Sequence, residues 1–222
     1  MGAYFYRPPF SPPNFIYPLE VDFQLDSFHE YIKITESIIE KEINLKILEF
    51  EKFLEKASEE EISMAYFYDN MDHEIKIYTQ QLYYSSIFIS LYSFLEKKMS
   101  QLCKIAEKNQ RIKTRDISGD GIFKYKTYLE KVVEIEFTGM NKEWDQINIY
   151  NKLRNILIHS PTATIEKTPD NLKHIEPLKR IKYISVKENE GVVEFQIKDQ
   201  KFLMNFLKII STFLHKICLV RA

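Results

Sequence analysis

Apolar residues recur every three to four positions through the early part of the chain. Phe28, Tyr31, Ile32, Ile38, Ile39, Ile43, Leu45, Ile47, Phe50 and Leu54 are separated by acidic and other polar side chains. That spacing is the period of an amphipathic helix. Neither glycine nor proline interrupts the 100 residues from Leu19 to Ser118, so helix is the simplest account of the whole stretch. Ser58, followed by Glu59, Glu60 and Glu61, has the form of an N-cap with a capping-box glutamate. A first helix should therefore end before Ser58, and a second long helix, or a helix pair, should run from there to about Asn109.

Further along, the pattern shortens. The turn residues Ser118-Gly119-Asp120-Gly121 precede a shorter helix around 124–136, and another begins near Asn141 after Gly139. Ser160-Pro161 should end it, because a residue before proline is pushed out of helical geometry. The stretch with Pro161, Pro169 and Pro177 reads as a loop. Ile181–Lys187 and Val192–Ile197, joined by Glu188-Asn189-Glu190-Gly191, read as a β-hairpin. A final amphipathic helix spans about Asp199 to Cys218. The expected fold class is mainly α, a helical bundle with a small β-hairpin before the C-terminal helix.

The first 18 residues differ from all of this. They hold five of the eight prolines, interleaved with Tyr4, Phe5, Tyr6, Phe10, Phe15 and Tyr17, which excludes helix or central strand and predicts an arm strapped onto the body or a second subunit. The expected organisation is an arm at 1–18, an acidic helical extension at 19–59 and a helical domain at 60–222.

Composition narrows the class. A chain of 222 residues with 45% hydrophobic and 28% charged residues has material for a core, which excludes disorder, collagen and a disulfide scaffold. The chain is nearly neutral in total but polarised: residues 1–75 hold 16 acidic and 6 basic side chains, leaving 16 acidic and 25 basic for the remainder. Lys97, Lys98, Lys104, Lys108, Arg111, Lys113 and Arg115 face only Glu96 and Glu107 between positions 96 and 115. Such a run suits a phosphate backbone, with a solvated helix face as the alternative. Ile77 to Leu95 is 19 residues long and uncharged, yet its Thr, Gln, Ser and Tyr content is too polar for lipid and fits a buried central helix, so no membrane partner is expected. Cys103 and Cys218 lie in apolar helical patterns as small buried hydrophobes, and with no signal-peptide pattern at the start the expected location is cytoplasmic.

Much familiar chemistry is missing. Five glycines form neither a G-x-G-x-x-G nor a G-x-x-x-x-G-K loop, and there is no C-x-x-C, H-E-x-x-H or Ser nucleophile elbow. His29, His73, His174 and His215 are scattered along the chain and form no His-His or Cys-Cys pair at metal-ligand spacing. No metal site and no cofactor are expected.

One constellation stands out, in Tyr150-Asn151-Lys152-Leu153-Arg154-Asn155-Ile156-Leu157-Ile158-His159-Ser160-Pro161. Asn155 and His159 are i, i+4 on one helical face, and Arg154 lies about 100° round from Asn155, so all three should converge on one pocket mouth. His159 ends the helix, beside its unpaired last carbonyls. An imidazole to move protons and a guanidinium to hold phosphoryl charge suit phosphodiester cleavage without a metal.

With Arg154, Asn155 and His159 placed late in a helical chain, the protein resembles the HEPN superfamily, compact helical bundles carrying an R-x4–6-H motif, often with Asn after the Arg. The neighbourhood is similar as well: helix 77–109 with Phe94-Leu95-Glu96 near its end, the motif helix, the hairpin 181–197 and a closing helix. The resemblance covers about residues 60–220. It implies a metal-independent endoribonuclease, a homodimer in which two motifs face each other across the two-fold axis, and a toxin or phage-defence effector restrained by an antitoxin or another defence-system protein. His159 would be the acid/base or phosphate donor, Arg154 the transition-state stabiliser and Asn155 an orienting group. Lys152, Lys97, Lys98 and Lys104 are candidate RNA contacts. Pro161 stands where toxins silenced by nucleotidyltransferases carry tyrosine, so that mode of control is not implied. The superfamily also contains members that are not nucleases, which leaves a second reading: an inactive helical module that binds a partner protein or RNA.

Overall fold

The structure is a computed structural model that describes residues 16–159 and 163–219, with side chains described over 20–66, 76–159 and 163–218. The expectations for residues 1–15 and for Ser160-Pro161 lie outside the described residues. The fold is mainly α, with a small antiparallel sheet before the C-terminal helix.

Two long helices dominate. α1 (Ile16–Leu54) and α2 (Glu59–Ala106) are separated by a short turn in which Ser58 caps α2. The Ser58 hydroxyl accepts from the Glu61 N–H, and the Glu61 carboxylate accepts from the Ser58 N–H at 2.8 Å, a complete capping box. At 48 residues α2 is about 72 Å long. The helices run antiparallel, as cross-helix pairs show: Lys98 with Glu20, Phe94 with Phe28, Tyr84 with Glu36 and Tyr66 with Phe50. Helix reaches two residues before Pro18, which corrects the reading of 1–18 as wholly non-helical. Proline is compatible with a first turn, whose N–H groups have no intrahelical acceptor.

The shorter elements close over the second half of α2. Gly119 (φ 97°) and Gly121 (φ 54°) take left-handed conformations in the turn that starts α3 (Gly121–Lys131). α4 (Asn141–His159) buries Trp144, Ile147, Tyr150, Leu153 and Leu157 along one stripe. The proline-containing stretch is more ordered than a loop. It forms β1 (Thr164–Glu166) and α5 (Pro169–Leu178), with Thr168 accepting from the Asn171 N–H and Pro169 at the first helical position, a combination that favours helix initiation. β2 (Ile184–Asn189) and β3 (Val192–Ile197) form the hairpin, and β1 adds to the other edge of β3 in the order β1-β3-β2. Gln81 on α2 clamps the end of β3: its amide NH₂ donates to the Ile197 carbonyl at 2.6 Å and its oxygen accepts from the Ile197 N–H at 2.9 Å. α6 (Lys201–Leu219) then crosses the body.

The core is aromatic. Phe88, Tyr150, Phe202 and Phe206 meet with ring centroids 4.5 to 5.9 Å apart, and the Tyr150 hydroxyl accepts from Asn205 at 3.0 Å. Val21, Leu25 and Ile32 of α1 belong to the same core. The expected boundary between an extension at 19–59 and a domain from 60 therefore does not follow the packing: the first half of α1 is part of the body. Among the described residues from 37 to 83, by contrast, none is buried. The uncharged stretch from Ile77 splits at that limit, with Ile77, Tyr78 and Leu82 exposed and Tyr84 to Leu95 supplying core residues. Among the described residues no helix is long and apolar enough to cross a membrane.

Candidate active site

The last two turns of α4 place the motif at the edge of its buried stripe. Leu153 and Leu157 face the core, which turns Asn155 and His159 outward on the exposed face and leaves Arg154 half-buried between. Arg154 Nη1 donates to Asn155 Oδ1 at 3.1 Å, and the Arg154 guanidinium carbon lies 5.7 Å from the centroid of the Tyr92 ring on α2. A guanidinium over an aromatic face is attracted by the ring's negative quadrupole. Burial first, and the Glu96 carboxylate second, hold the Tyr92 phenol well above its ordinary pKa, and Arg154 pulls the other way. Arg154 Nε and the Tyr92 hydroxyl are both enclosed with no hydrogen-bond partner among the described residues.

Asn155 and His159 open on a cleft of about 470 Å³ lined also by Lys152, Ile156, Thr164, Ile165, Glu166, Asn171 and His174. The cleft exists because β1 and α5 fold back over the end of α4. Asn171 Nδ2 donates to the Glu166 carbonyl at 2.9 Å and so ties α5 to β1. Arg154 is not among the lining residues. The three motif residues are thus contiguous, but they share the space differently from the expected single pocket mouth: Asn155 contacts Arg154 and lines the cleft, while the guanidinium stacks towards α2.

The lysines separate. Lys152 lines this cleft. Lys97 and Lys104 are exposed on α2, and Lys104 lines a second, separate cavity of about 350 Å³ with Ser100, Glu107, Thr114, Arg115, Asp120, Gly121, Lys124 and Tyr125. Lys98 corrects the expectation of an RNA contact. It is 2% exposed, its ammonium donates to Glu20 at 2.8 Å and lies 5.6 Å from the Phe94 ring centroid, so its charge is directed to α1. The hydrogen bond and charge of Lys98 lower the Glu20 carboxyl below its ordinary pKa.

Comparison of the chain with protein-family models, with curated proteins and with solved structures finds no match.

Two histidines acquire neighbours that spacing along the chain does not reveal. His174 joins the cleft from α5; the signal for it is Thr168-Pro169, an N-cap followed by proline at the first helical position, which marks a helix where a loop was expected. His215 bonds Asp22 through Nε2 at 2.9 Å, with Ser211 Oγ 3.2 Å from Nδ1. Although serine, histidine and aspartate are all present, Nδ1 lies 2.7 Å from the Ser211 carbonyl, where only an N–H is favourable. A nitrogen donating there has no lone pair to take the serine proton, so this group fastens α6 to α1. Cys218 nearby is half-buried, and burial pushes its thiol up to about 11, which makes it a poor nucleophile.

Proposed function

We propose that the protein is a metal-independent endoribonuclease of the HEPN type, acting as a toxin or phage-defence effector. The observation that carries this reading is that Asn155 and His159 open together with Lys152 on one cleft, while Arg154 is hydrogen-bonded to Asn155 beside it. An imidazole at the cleft supplies proton transfer, and an ammonium and a guanidinium at its side supply charge for a phosphodiester. A homodimer pairing two such sites across a two-fold axis, and an antitoxin that restrains them, belong to the same proposal.

Purified protein incubated with labelled RNA in EDTA should yield fragments ending in 2′,3′-cyclic phosphate, and His159→Ala should reduce the rate by about a hundredfold or more without loss of helix content. Equal cleavage by wild type and variant would remove His159 from the chemistry. A non-catalytic module binding a partner protein or RNA is favoured by a separate observation, the exposed apolar residues Ile38, Leu45, Leu48, Met64 and Tyr66 on the two long helices. Intact RNA at every protein concentration, with RNA or partner binding retained, would put that reading first.

A further inference from the structure

We propose that His174 is a second proton-transfer group of this cleft, so that His159 and His174 form an acid–base pair within one protomer. The inference rests on the endoribonuclease reading and places within one protomer the second proton-transfer group that the dimer would otherwise draw from the facing motif. Cleavage of an RNA strand by its own 2′-hydroxyl needs two proton movements around one phosphorus. The 2′-oxygen loses its proton as it bonds to phosphorus; the P–O5′ bond breaks and its electron pair leaves with the 5′-oxygen, which takes up a proton. One imidazole cannot accept the first proton and deliver the second in the same transition state. Two imidazoles can, one entering neutral and the other protonated, and they finish with those roles exchanged. Atoms and charge balance without water or any co-reactant, and the products are a 2′,3′-cyclic phosphate and a 5′-hydroxyl.

The fold brings the second imidazole to the cleft from another helix. His159 is the last residue of α4, and His174 lies in the middle of α5. The intervening strand β1 is held by pairing with β3 at Thr164↔Glu194 and Ile165↔Val193. The Thr168 cap then turns the chain back, so that both histidines line the same cleft. Its volume is within the range of small-ligand sites and is sufficient for a nucleotide-sized group. Lys152 provides a cation for the phosphate, Asn155 contributes an amide, and Glu166 is the one carboxylate among the lining residues. His174 Nδ1 is shut off from solvent with no hydrogen-bond partner among the described residues. Nε2 is thereby left as the nitrogen able to exchange a proton with a bound group.

The test compares wild type, His159→Ala, His174→Ala and His174→Gln on RNA, with circular dichroism to check folding. Both His174 variants should lose about a hundredfold or more in rate, and added imidazole should restore part of the activity of His174→Ala. A substrate whose scissile 5′-oxygen is replaced by sulfur has a leaving group that needs no acid. It should rescue one of the two alanine variants and not the other. Mixing the His159→Ala and His174→Ala proteins should restore nothing, since each protomer then lacks one member of its pair. Because a variant can fail to fold, a readout on the wild type is added: a 2′-deoxy oligonucleotide, which binds and cannot react, should shift the imidazole NMR signals of both His159 and His174. His174 variants within about threefold of wild type, or a shift confined to His159, would overturn the pair while leaving a ribonuclease that cuts RNA. Wild-type protein that leaves RNA intact would remove the endoribonuclease reading and the pair with it.

Discussion

The two ends of α2 lie in different surroundings. From Tyr84 onward the helix contributes Tyr84, Phe88, Leu91, Tyr92, Leu95 and Met99 to the core, each at 2% exposure or less. Before Tyr84, and along α1 after Glu36, none of the described residues is buried. Both parts have apolar residues at helical spacing, so periodicity alone does not separate a helix face that is covered from one that is not. In the body, tertiary packing holds the helix. In the distal hairpin, intrinsic propensity, the Ser58–Glu61 capping box and contacts such as Phe50 with Tyr66, 5.8 Å apart, have to hold it, and a cap or an aromatic pair is worth only on the order of 1 kcal/mol.

The largest test of that contrast is truncation on either side of it. Phe206 is fully buried against Phe88, Tyr92 and Tyr150, so Phe206→Ala should cost about 3–5 kcal/mol in a denaturant titration. Leu45→Ala and Ile38→Ala, at positions 46% and 61% exposed, should change the midpoint by less than about 0.5 kcal/mol. A hairpin substitution as costly as the core one, and dependent on protein concentration, would mean that a second copy covers the hairpin in solution.

The next test is the cap. Ser58→Ala removes the acceptor for the Glu61 N–H and should weaken the hairpin by about 1 kcal/mol. The loss should be local, seen as faster amide exchange over 59–66 with an unchanged unfolding midpoint for the body. A shift of the global midpoint by the full amount would show that hairpin and body unfold as one unit.

The same contrast explains what could be read in advance. Element types and the Ser58 break were legible because they depend on local chemistry: caps, glycine and proline positions and apolar period. The limits of the core were not, since Leu25 and Leu45 look alike along the chain and differ only in what folds over them. Arg154, Asn155 and His159 were legible as a cluster because four residues make just over one helical turn. The rest of the cleft was not, because His174, Glu166 and Asn171 arrive through a β1–α5 return whose partner strand β3 lies more than twenty residues further on. The burial of Lys98 is hidden in the sequence for a similar reason. A run of cations looks uniform in sequence, and only the approach of Glu20 from α1 distinguishes the one that is buried.

The smallest effect is a pH dependence at the boundary between the two regions. Glu36 is 7% exposed; the Tyr84 hydroxyl donates to its Oε1 at 2.9 Å, and its Oε2 has no partner among the described residues. Burial, reinforced by the Glu40 and Asp199 charges, raises its carboxyl pKa, against the pull of the Tyr84 hydrogen bond. A carboxyl raised in the folded state contributes stability below its unfolded pKa and loses it as pH rises through the folded value. Glu36→Gln keeps an acceptor for Tyr84 and has no charge to desolvate. It should therefore gain stability relative to wild type between the acidic range and neutrality, with the difference closing as wild-type Glu36 protonates. Glu143 provides the opposite sign inside the body. Burial works to raise its carboxyl, but the Lys216 hydrogen bond and charge outweigh it and leave the pKa lowered. Its contribution is present above the ordinary carboxylate range and lost on acidification, so Glu143→Gln should lose stability at neutral pH and approach wild type in acid. Unfolding midpoints across pH 3 to 8 for both variants check the two signs together. No gain for Glu36→Gln at neutral pH would mean that Glu36 is solvated in the native state and that the buried part of the α1–α2 pair ends before it, whereas a gain for Glu143→Gln would mean that the Lys216 contact does not outweigh its burial.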